Sequence, residues 1–506
     1  MAVSSNDKPG IEPSARDIGG GSHRRLAAAA AATGLAVVLS ASAAVADIEE
    51  APPSVASAPV ILISIDTLRS DRLPAYGYDA VDTPAIDAMR AESVLFERAY
   101  SHVPMTLPAH VSMLTGTLPA AHGVRNNVGY SFDPDRNFFL PCFLKTKGYV
   151  VGAAVSTYVM RRESGFNACF DLYDDAVDPR AGDRTTLQER SGWVTLESSK
   201  RWIVAQAGRP FFFLFHIYEP HAPYEPAEPY RSRYRHPYDG EVALSDAIVG
   251  EFVAFLRRRG IWDRALVILT SDHGEGLGDH GEQQHSVLLN RELIQVPLLI
   301  KLPGDVRAGE TEKAPVQIVD LAPTIIELLG FSTTSDFDGI PLLAAKLGPD
   351  RPVFSETLFP RIHLGWSDLA SLVRGRYHYI EGPLPELYDV VADPAERKNL
   401  VMSSPKVASA MRQLIEPFRV PPASLTEVDP ETARKLAALG YVGTPKNRTG
   451  PLPDPKERIR DLGTIREALQ LALTGKVDDA QALLRDLVRS NPAMVEGWAK
   501  LGDVLD

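Results

Sequence analysis

Five short apolar runs punctuate the first two thirds of the chain, at 60–65, 149–155, 211–217, 265–270 and 296–301. Their length and lack of polar alternation predict strands buried on both faces. Between them, apolar positions recur at helical spacing over 83–93, 108–114, 188–206, 241–259 and 317–330. This alternation predicts an α/β fold, a mostly parallel central sheet with helices on both faces. From about Arg351 to Leu400 the pattern changes to short strands and turns, as at 370–380 and 386–389, which predicts a smaller antiparallel C-terminal subdomain. The chain then turns helical. Segments 464–474 and 477–489 read as a hairpin about Gly475 and Lys476, and Trp498 restarts the pattern. Ala480, Pro492, Trp498, Leu501 and Gly502 fall in the register of a tetratricopeptide repeat of roughly 34 residues, so an α-helical repeat tail is expected. One repeat and a fraction cannot bury a solenoid core. The tail therefore packs on the α/β domain or continues beyond this chain; an ordinary helical hairpin is the alternative.

The N-terminus has a different character. Arg24 and Arg25 precede Leu26 to Ala46, an Ala-rich apolar stretch ending Ala44-Val45-Ala46. Basic residues, an apolar core and a small-residue ending predict an export signal over 1–46 and a linker over 47–58. Uncleaved, this stretch is long enough to anchor the chain in a membrane. Its Ala, Gly and Ser content favours cleavage. The arginine pair also allows twin-arginine export, although its flanks match that signal poorly. The expected location is periplasmic or extracellular. The main α/β domain is then expected over 59–345, its subdomain over 346–442, a Pro-rich linker over 443–457 and the helical repeat over 458–506.

Composition narrows the partners. The 506 residues carry a net charge of −12, with 44% hydrophobic and 23% charged residues, which describes a globular protein with room for two or three domains. That field repels nucleic acid and leaves a small anion in a locally positive pocket. Cys142 and Cys169 are the only cysteines. They form a disulfide in an oxidising compartment or stay as unpaired core residues, and neither has metal-ligand spacing.

Two strand ends carry the chemistry. The run ending at Ile65 meets Asp66 and Thr67, and the run ending at Thr270 meets Ser271-Asp272-His273-Gly274. Open parallel sheets hold ligands outside their strands' carboxyl ends, and Asp and His are good divalent-metal ligands. Helix capping by each Asp is the structural alternative. Between the two lies Thr106, just ahead of Pro108 and an amphipathic helix. A hydroxyl near a helix N-terminus sits where free amides favour an anion.

Taken together, these residues resemble the sulfatase branch of the alkaline phosphatase superfamily. The resemblance runs from about Val60 to Leu400. It rests on Asp66-Thr67-Leu68-Arg69 with Asp71, Thr106 to His110 with Leu114-Thr115-Gly116, and His122 to Asn127. Further on come Pro220-His221-Ala222-Pro223-Tyr224, Ser271 to Gly276 with Asp279-His280-Gly281, and Glu386 to Pro394. It implies one divalent metal ion held by Asp66, Asp272 and His273, with the nucleophile oxygen of Thr106 as a further ligand. Asn127, His221 and His285 fall where ester oxygens are held or the leaving group is protonated. His110 takes the substrate-binding place of the family's arginine beside the nucleophile.

Three departures from the family pattern shift the expected chemistry. Sulfatases of this branch oxidise Cys or Ser to formylglycine, which Thr106 cannot become. Thr67 replaces the second Asp of the usual pair, and His273 replaces an Asn. Imidazole suits manganese or zinc better than calcium, and the pattern resembles the phosphate-ester branch with a Thr nucleophile. A second metal would need an Asp that no segment supplies. The expected protein is an exported metal-dependent hydrolase, or transferase, of phosphate or sulfate esters, with phosphoesters favoured. Metal-bound Thr106 would form the covalent intermediate, and His221 and His285 would act as general acid and charge stabiliser. The substrate is a small anionic ester, a protein partner could meet the repeat tail, and a membrane is met only through an uncleaved signal. The alternatives are a sulfatase proper and a non-catalytic scaffold. His122 and His280, each before a glycine, read as turn residues or as partners behind the site, and Glu219 and Glu275 as solvated loop carboxylates, with a ligand role the alternative.

Overall fold

Strand β1 (Val60–Ile65) is buried along its whole length in the computed structural model, flanked by two parallel strands that are buried just as completely. The structure describes residues 55–177, 189–206, 208–343, 347–421 and 451–505. The predicted signal (1–46), most of the 47–58 linker, and 443–450 of the second linker lie outside the described residues.

Fourteen further strands follow β1: β2 (Val94–Phe96), β3 (Ala99–Tyr100), β4 (Val150–Ala154), β5 (Leu172–Asp174), β6 (Phe211–Ile217), β7 (Leu266–Thr270), β8 (Gln295–Val296), β9 (Leu298–Lys301), β10 (Thr311–Glu312), β11 (Val316–Gln317), β12 (Val353–Thr357), β13 (Leu369–Arg374), β14 (Tyr377–Glu381) and β15 (Glu386–Asp389). The main sheet has eight strands in the order β10-β2-β9-β7-β1-β6-β4-β5. It is parallel except for β9, which runs against both β7 and β2. The apolar run at 296–301 was expected as one strand and is two. Pro297 separates β8, which pairs with β3, from β9 in the main sheet; a proline has no amide to donate to a ladder.

Alternate residues of the central strands feed two cores. Val60, Leu62, Phe212, Leu214, Leu266 and Ile268 face the helices Thr106–Thr115 and Leu321–Leu328. Ile61, Ile63, Phe213, Phe215, Val267 and Leu269 face the helices Pro84–Ala91, Gly192–Ala205 and Pro237–Arg258. This is the doubly covered sheet that the unbroken apolar runs implied. Strands β12 to β15 form a separate antiparallel sheet, covered by the helix Pro405–Ile415 through Leu372, Tyr379, Leu387, Met411 and Ile415.

The tail forms three helices, Pro455–Leu473, Val477–Ser490 and Val495–Leu505, with Gly475 at φ 81° in the predicted turn. Its first helix starts at Pro455, inside the expected 443–457 linker, with the Asp454 carboxylate accepting from the Lys456 amide. The tail packs on the folded body. Ile459, Ile465, Ala468, Leu484 and Met494 join the β1-side core, Asn491 Nδ2 donates to Leu364 O at 3.3 Å, and Asp454 Oδ2 accepts from the Leu384 amide at 2.8 Å. Cys142 and Cys169 are bonded to each other, which decides the alternative the sequence left open. Among the described residues no helix is long and apolar enough to cross a membrane.

Candidate active site

Parallel register brings the chemistry together. Ser64 of β1 lies opposite Thr270 of β7 and His216 of β6, so the three strands end side by side. Two residues beyond Ser64 is Asp66, and two beyond Thr270 is Asp272. The turn after β1 puts Thr67 at φ 57°, a left-handed conformation costly for a β-branched residue. Neighbours hold it there. The Thr67 amide donates to Asp272 Oδ1 at 3.3 Å, Tyr238 Oη donates to Thr67 O at 2.7 Å, and the Leu68 amide donates to Ser271 Oγ at 3.0 Å.

Asp66, Asp272 and His273 are fully buried, and one ligand atom from each lies within 4.8 Å of the others. His273 Nε2 is 3.4 Å from Asp272 Oδ2, 3.8 Å from Asp66 Oδ1 and 3.5 Å from Thr106 Oγ1. Its Nδ1 lies 2.9 Å from Gly274 O. A carbonyl only accepts, so Nδ1 carries the proton and the Nε2 lone pair points into the cluster. Both oxygens of Asp66 and Oδ2 of Asp272 have no hydrogen-bond partner. Buried carboxylate oxygens without partners are costly, and a divalent cation satisfies this donor set of two carboxylates, one imidazole nitrogen and one hydroxyl. Burial and the adjacent Asp272 push Asp66 well above the usual carboxylate range. Burial also acts to raise Asp272, but the imidazoles of His273, His110 and His216 outweigh it and hold that carboxyl at about 2.

One histidine at this point has no counterpart among the expected site residues. His216 Nε2 lies 3.6 Å from Asp66 Oδ2. Its Nδ1 accepts from the Ser156 amide at 3.3 Å, so the proton sits on Nε2, which faces Asp66 without making a hydrogen bond to it. The only sequence signal was a polar residue inside an otherwise apolar strand.

His110 sits differently from expectation. Its Nδ1 donates to Thr106 O at 2.8 Å and its Nε2 accepts from Ser64 Oγ at 2.8 Å. Both nitrogens are engaged inside the protein, and burial lowers the ring's pKa to about 4. A neutral ring with both nitrogens occupied positions the first turn of the Thr106–Thr115 helix and offers nothing to a substrate. Thr106 itself is the first residue of that helix and is buried. Asn127 Oδ1 accepts from the Leu107 amide at 2.9 Å, and its buried Nδ2 has no partner. It is therefore a donor held beside the hydroxyl.

The two other expected histidines stand in line with His273. The His285 ring is 4.5 Å from that of His273 and 5.0 Å from that of His221. His285 Nδ1 donates to Glu275 Oε1 at 3.0 Å, and His221 Nδ1 donates to Ala222 O at 2.6 Å while its ring stacks on Tyr218. Burial pushes His221 down to about 3 and His285 to about 4, so both rings are neutral until an anion enters.

Of the two carboxylates expected in solvent, Glu275 is buried and Glu219 is half-buried. Glu275 is fully enclosed beside His285, and burial raises it to about 7. Glu219 accepts from the Gly192 amide at 3.1 Å, at the N-terminus of the Gly192–Ala205 helix. Loop sequence carries no burial signal, so neither position was legible. His122 lies 2.9 Å from Ser112 Oγ, and His280 Nδ1 lies 2.7 Å from Glu292 Oε1. Neither ring joins the cluster.

Known proteins share this fold and part of its sequence. The family model described as Sulfatase matches residues 59–331. N-acetylgalactosamine-6-sulfatase of Canis lupus familiaris is 28% identical over 377 residues, which span 63% of this chain and 71% of that protein. A multifunctional alkaline phosphatase superfamily protein, PehA, of Trinickia caryophylli is 25% identical over 484 residues, spanning 70% of this chain and 93% of its own. Among solved structures, the phosphonate monoester hydrolase of Agrobacterium radiobacter superposes with a TM-score of 0.62 at 21% identity, covering 78% of this chain and 100% of that one. The chain belongs to the sulfatase family and is a hydrolase acting on ester bonds.

Proposed function

We propose that the protein is an exported, divalent-metal-dependent hydrolase that cleaves small phosphate or sulfate esters through Thr106, with phosphoesters preferred. One observation carries the reading. The Thr106 hydroxyl sits 3.5 Å from a histidine nitrogen whose lone pair faces two carboxylates without partners. Asp66, Asp272 and His273 would hold the ion, manganese or zinc before calcium on the imidazole donor, with Thr106 beside it. A bound divalent ion supplies the charge that lowers the pKa of an adjacent hydroxyl.

The chain's own groups supply the rest. The Thr106 hydroxyl gives its proton to solvent and its oxygen attacks phosphorus or sulfur in line, the ester oxygen departs with the bonding pair, and water releases the threonyl ester. Asn127 Nδ2, a buried donor without a partner, meets a non-bridging oxygen. An entering anion raises the pKa of His221 and His285, so that either ring can hold the proton the leaving oxygen needs. Glu275 fixes the His285 tautomer. A threonine has no route to the formylglycine aldehyde, because its Cβ carries a methyl group; that supports phosphoesters over sulfates. The relatives include sulfatases, and a structural neighbour is bound to D-glucosamine-2-N,6-O-disulfate, so sulfated sugars stay in the substrate class to be tested. The Cys142–Cys169 bond supports the export reading, since disulfides persist in oxidising compartments.

The test is turnover of p-nitrophenyl phosphate, bis-p-nitrophenyl phosphate and p-nitrophenyl sulfate by chelator-stripped enzyme reloaded with manganese or zinc. Faster phosphate turnover is expected. Hydrolysis of the sulfate alone overturns the ranking, and full activity in the stripped enzyme overturns the metal requirement. Mass spectrometry of the exported protein should find an N-terminus just after Ala46.

A further inference from the structure

Among the described residues the buried arginines face a carboxylate: Arg69 pairs with Asp71, Arg125 with Glu356 and Arg190 with Asp174, and the half-buried Arg351 pairs with Asp320. Three arginines break the rule together. Arg90, Arg98 and Arg291 are half-buried and line one cavity of about 430 Å³, where β2, β8 and β10 meet the turn after β15. Their hydrogen-bond partners are neutral. Arg90 Nη2 donates to Thr311 Oγ1 at 2.7 Å, Arg98 Nη2 to Gly375 O at 2.5 Å, and Arg291 to Gln295 Oε1 at 2.6 Å and Pro394 O at 2.9 Å. Among the described residues no carboxylate lies within ion-pair distance of any of the three. Glu97 is the single acidic residue in the lining.

Carbonyls and amides fix the direction of a guanidinium without cancelling its charge, and the carboxylates that face these three, Glu97 in the lining and Asp71 toward Arg291, stay outside ion-pair distance. Three such charges around one half-enclosed space, in a protein of net charge −12, form a local positive well. Guanidinium is also the group that meets a tetrahedral oxyanion with two parallel donors. The volume lies within the range of small-molecule sites, roughly 300–1,000 Å³, and so admits more than a bare ion.

We infer that this cavity is a second anion site, taking a phosphate or sulfate group, free or carried on a sugar-sized body. It shares no residue with the cluster at Asp66, Thr106, Asp272 and His273, and the inference holds whichever ester is cleaved there. The two are linked through the backbone. Arg291 opens the helix Arg291–Ile294, whose Leu293 and Glu292 carbonyls accept from the amides of Gly274 and Glu275 at 2.9 and 3.1 Å.

The test is calorimetric titration of the full chain with inorganic phosphate, inorganic sulfate and glucosamine 6-sulfate, comparing wild type with the double variant Arg90→Gln, Arg98→Gln. The variant is expected to lose one binding event and keep its turnover of p-nitrophenyl esters. Loss with the free anions assigns the site to a free oxyanion; loss with the sugar sulfate alone assigns it to an ester. Identical binding isotherms for variant and wild type overturn the proposal. If the variant fails to fold, arginine labelling of the wild type by phenylglyoxal decides. Addition of the anion or sugar sulfate should protect Arg90, Arg98 and Arg291 several-fold and leave the exposed Arg136 unchanged. Equal labelling with and without these compounds overturns the proposal.

Discussion

His216 Nε2 lies 3.6 Å from Asp66 Oδ2, its proton fixed there because Nδ1 accepts from the Ser156 amide. His216 lies on β6 and Asp66 just past the end of β1, so the register of these two strands sets the imidazole N–H facing the carboxylate. Replacing His216 by Ala should weaken metal affinity by about 10–100-fold, the usual cost of losing a partner behind a ligand. Metal titration of the stripped variant measures this. Unchanged affinity would remove His216 from the site.

Thr106→Ala should lower kcat by more than about 10³-fold, since it removes the attacking oxygen. Thr106→Ser keeps a hydroxyl in the same place and should retain much more activity. Mass spectrometry of acid-quenched enzyme should find the substrate-derived group on a peptide containing Thr106. A Thr106→Ala enzyme with near-normal turnover would rule out the threonyl route.

His280 ties the loop beyond Asp272 and His273 to the antiparallel subdomain. Its Nδ1 meets Glu292 Oε1 at 2.7 Å and its Nε2 meets Glu396 O at 3.0 Å. Burial opposes the charge, but Glu292 and Glu396 outweigh it and raise the ring to about 9. The folded value lies above the unfolded value of about 6.5. The stabilisation is therefore complete below about pH 6.5 and is lost as pH rises through 9. Its size is on the order of 2 kcal/mol. Thermal unfolding from pH 6 to pH 9.5 should fall more steeply for wild type than for His280→Gln; parallel curves would refute the assignment.

The tail is bound by packing as well as by hydrogen bonds. Ile459 is buried in the shared core, and its Cγ2 lies 3.0 Å from where a Cβ on Gly281 would sit. Ile459→Ala should destabilise by about 2–4 kcal/mol. Limited proteolysis should then cut between the subdomain and the tail faster than in wild type. Equal cleavage rates would mean that the tail is held by its polar contacts alone.

The bond between Cys142 and Cys169 closes a sequence separation of 27 residues. Reduction, or Cys142→Ala with Cys169→Ala, should cost about 2–4 kcal/mol of stability. Catalysis should survive, because neither cysteine belongs to the cluster around Thr106. Denatured, unreduced protein should release no thiol to a colorimetric reagent.

Much of this was legible from the chain alone. Strands β1, β6 and β7 are unbroken apolar runs, and only burial on both faces explains such runs, so the sheet and its parallel character followed from hydrophobic pattern. Asp66 and Asp272 stand just past two of those runs, and strand polarity alone sends both to one edge. Other features needed three dimensions. His216 hides in an apolar strand, and only the register of β6 against β1 sets it beside Asp66. The roles of His110 and His273 depend on which ring nitrogen carries the proton, which is decided by carbonyls at Thr106 and Gly274. Glu275 sits in a polar loop, and nothing local records that the loop folds inward. The reversal of β9, the docking of the tail and the gathering of Arg90 and Arg98 with Arg291 depend on contacts between segments that no local window of sequence contains together. A local pattern states which face of an element must be buried; only the fold decides what is buried against it.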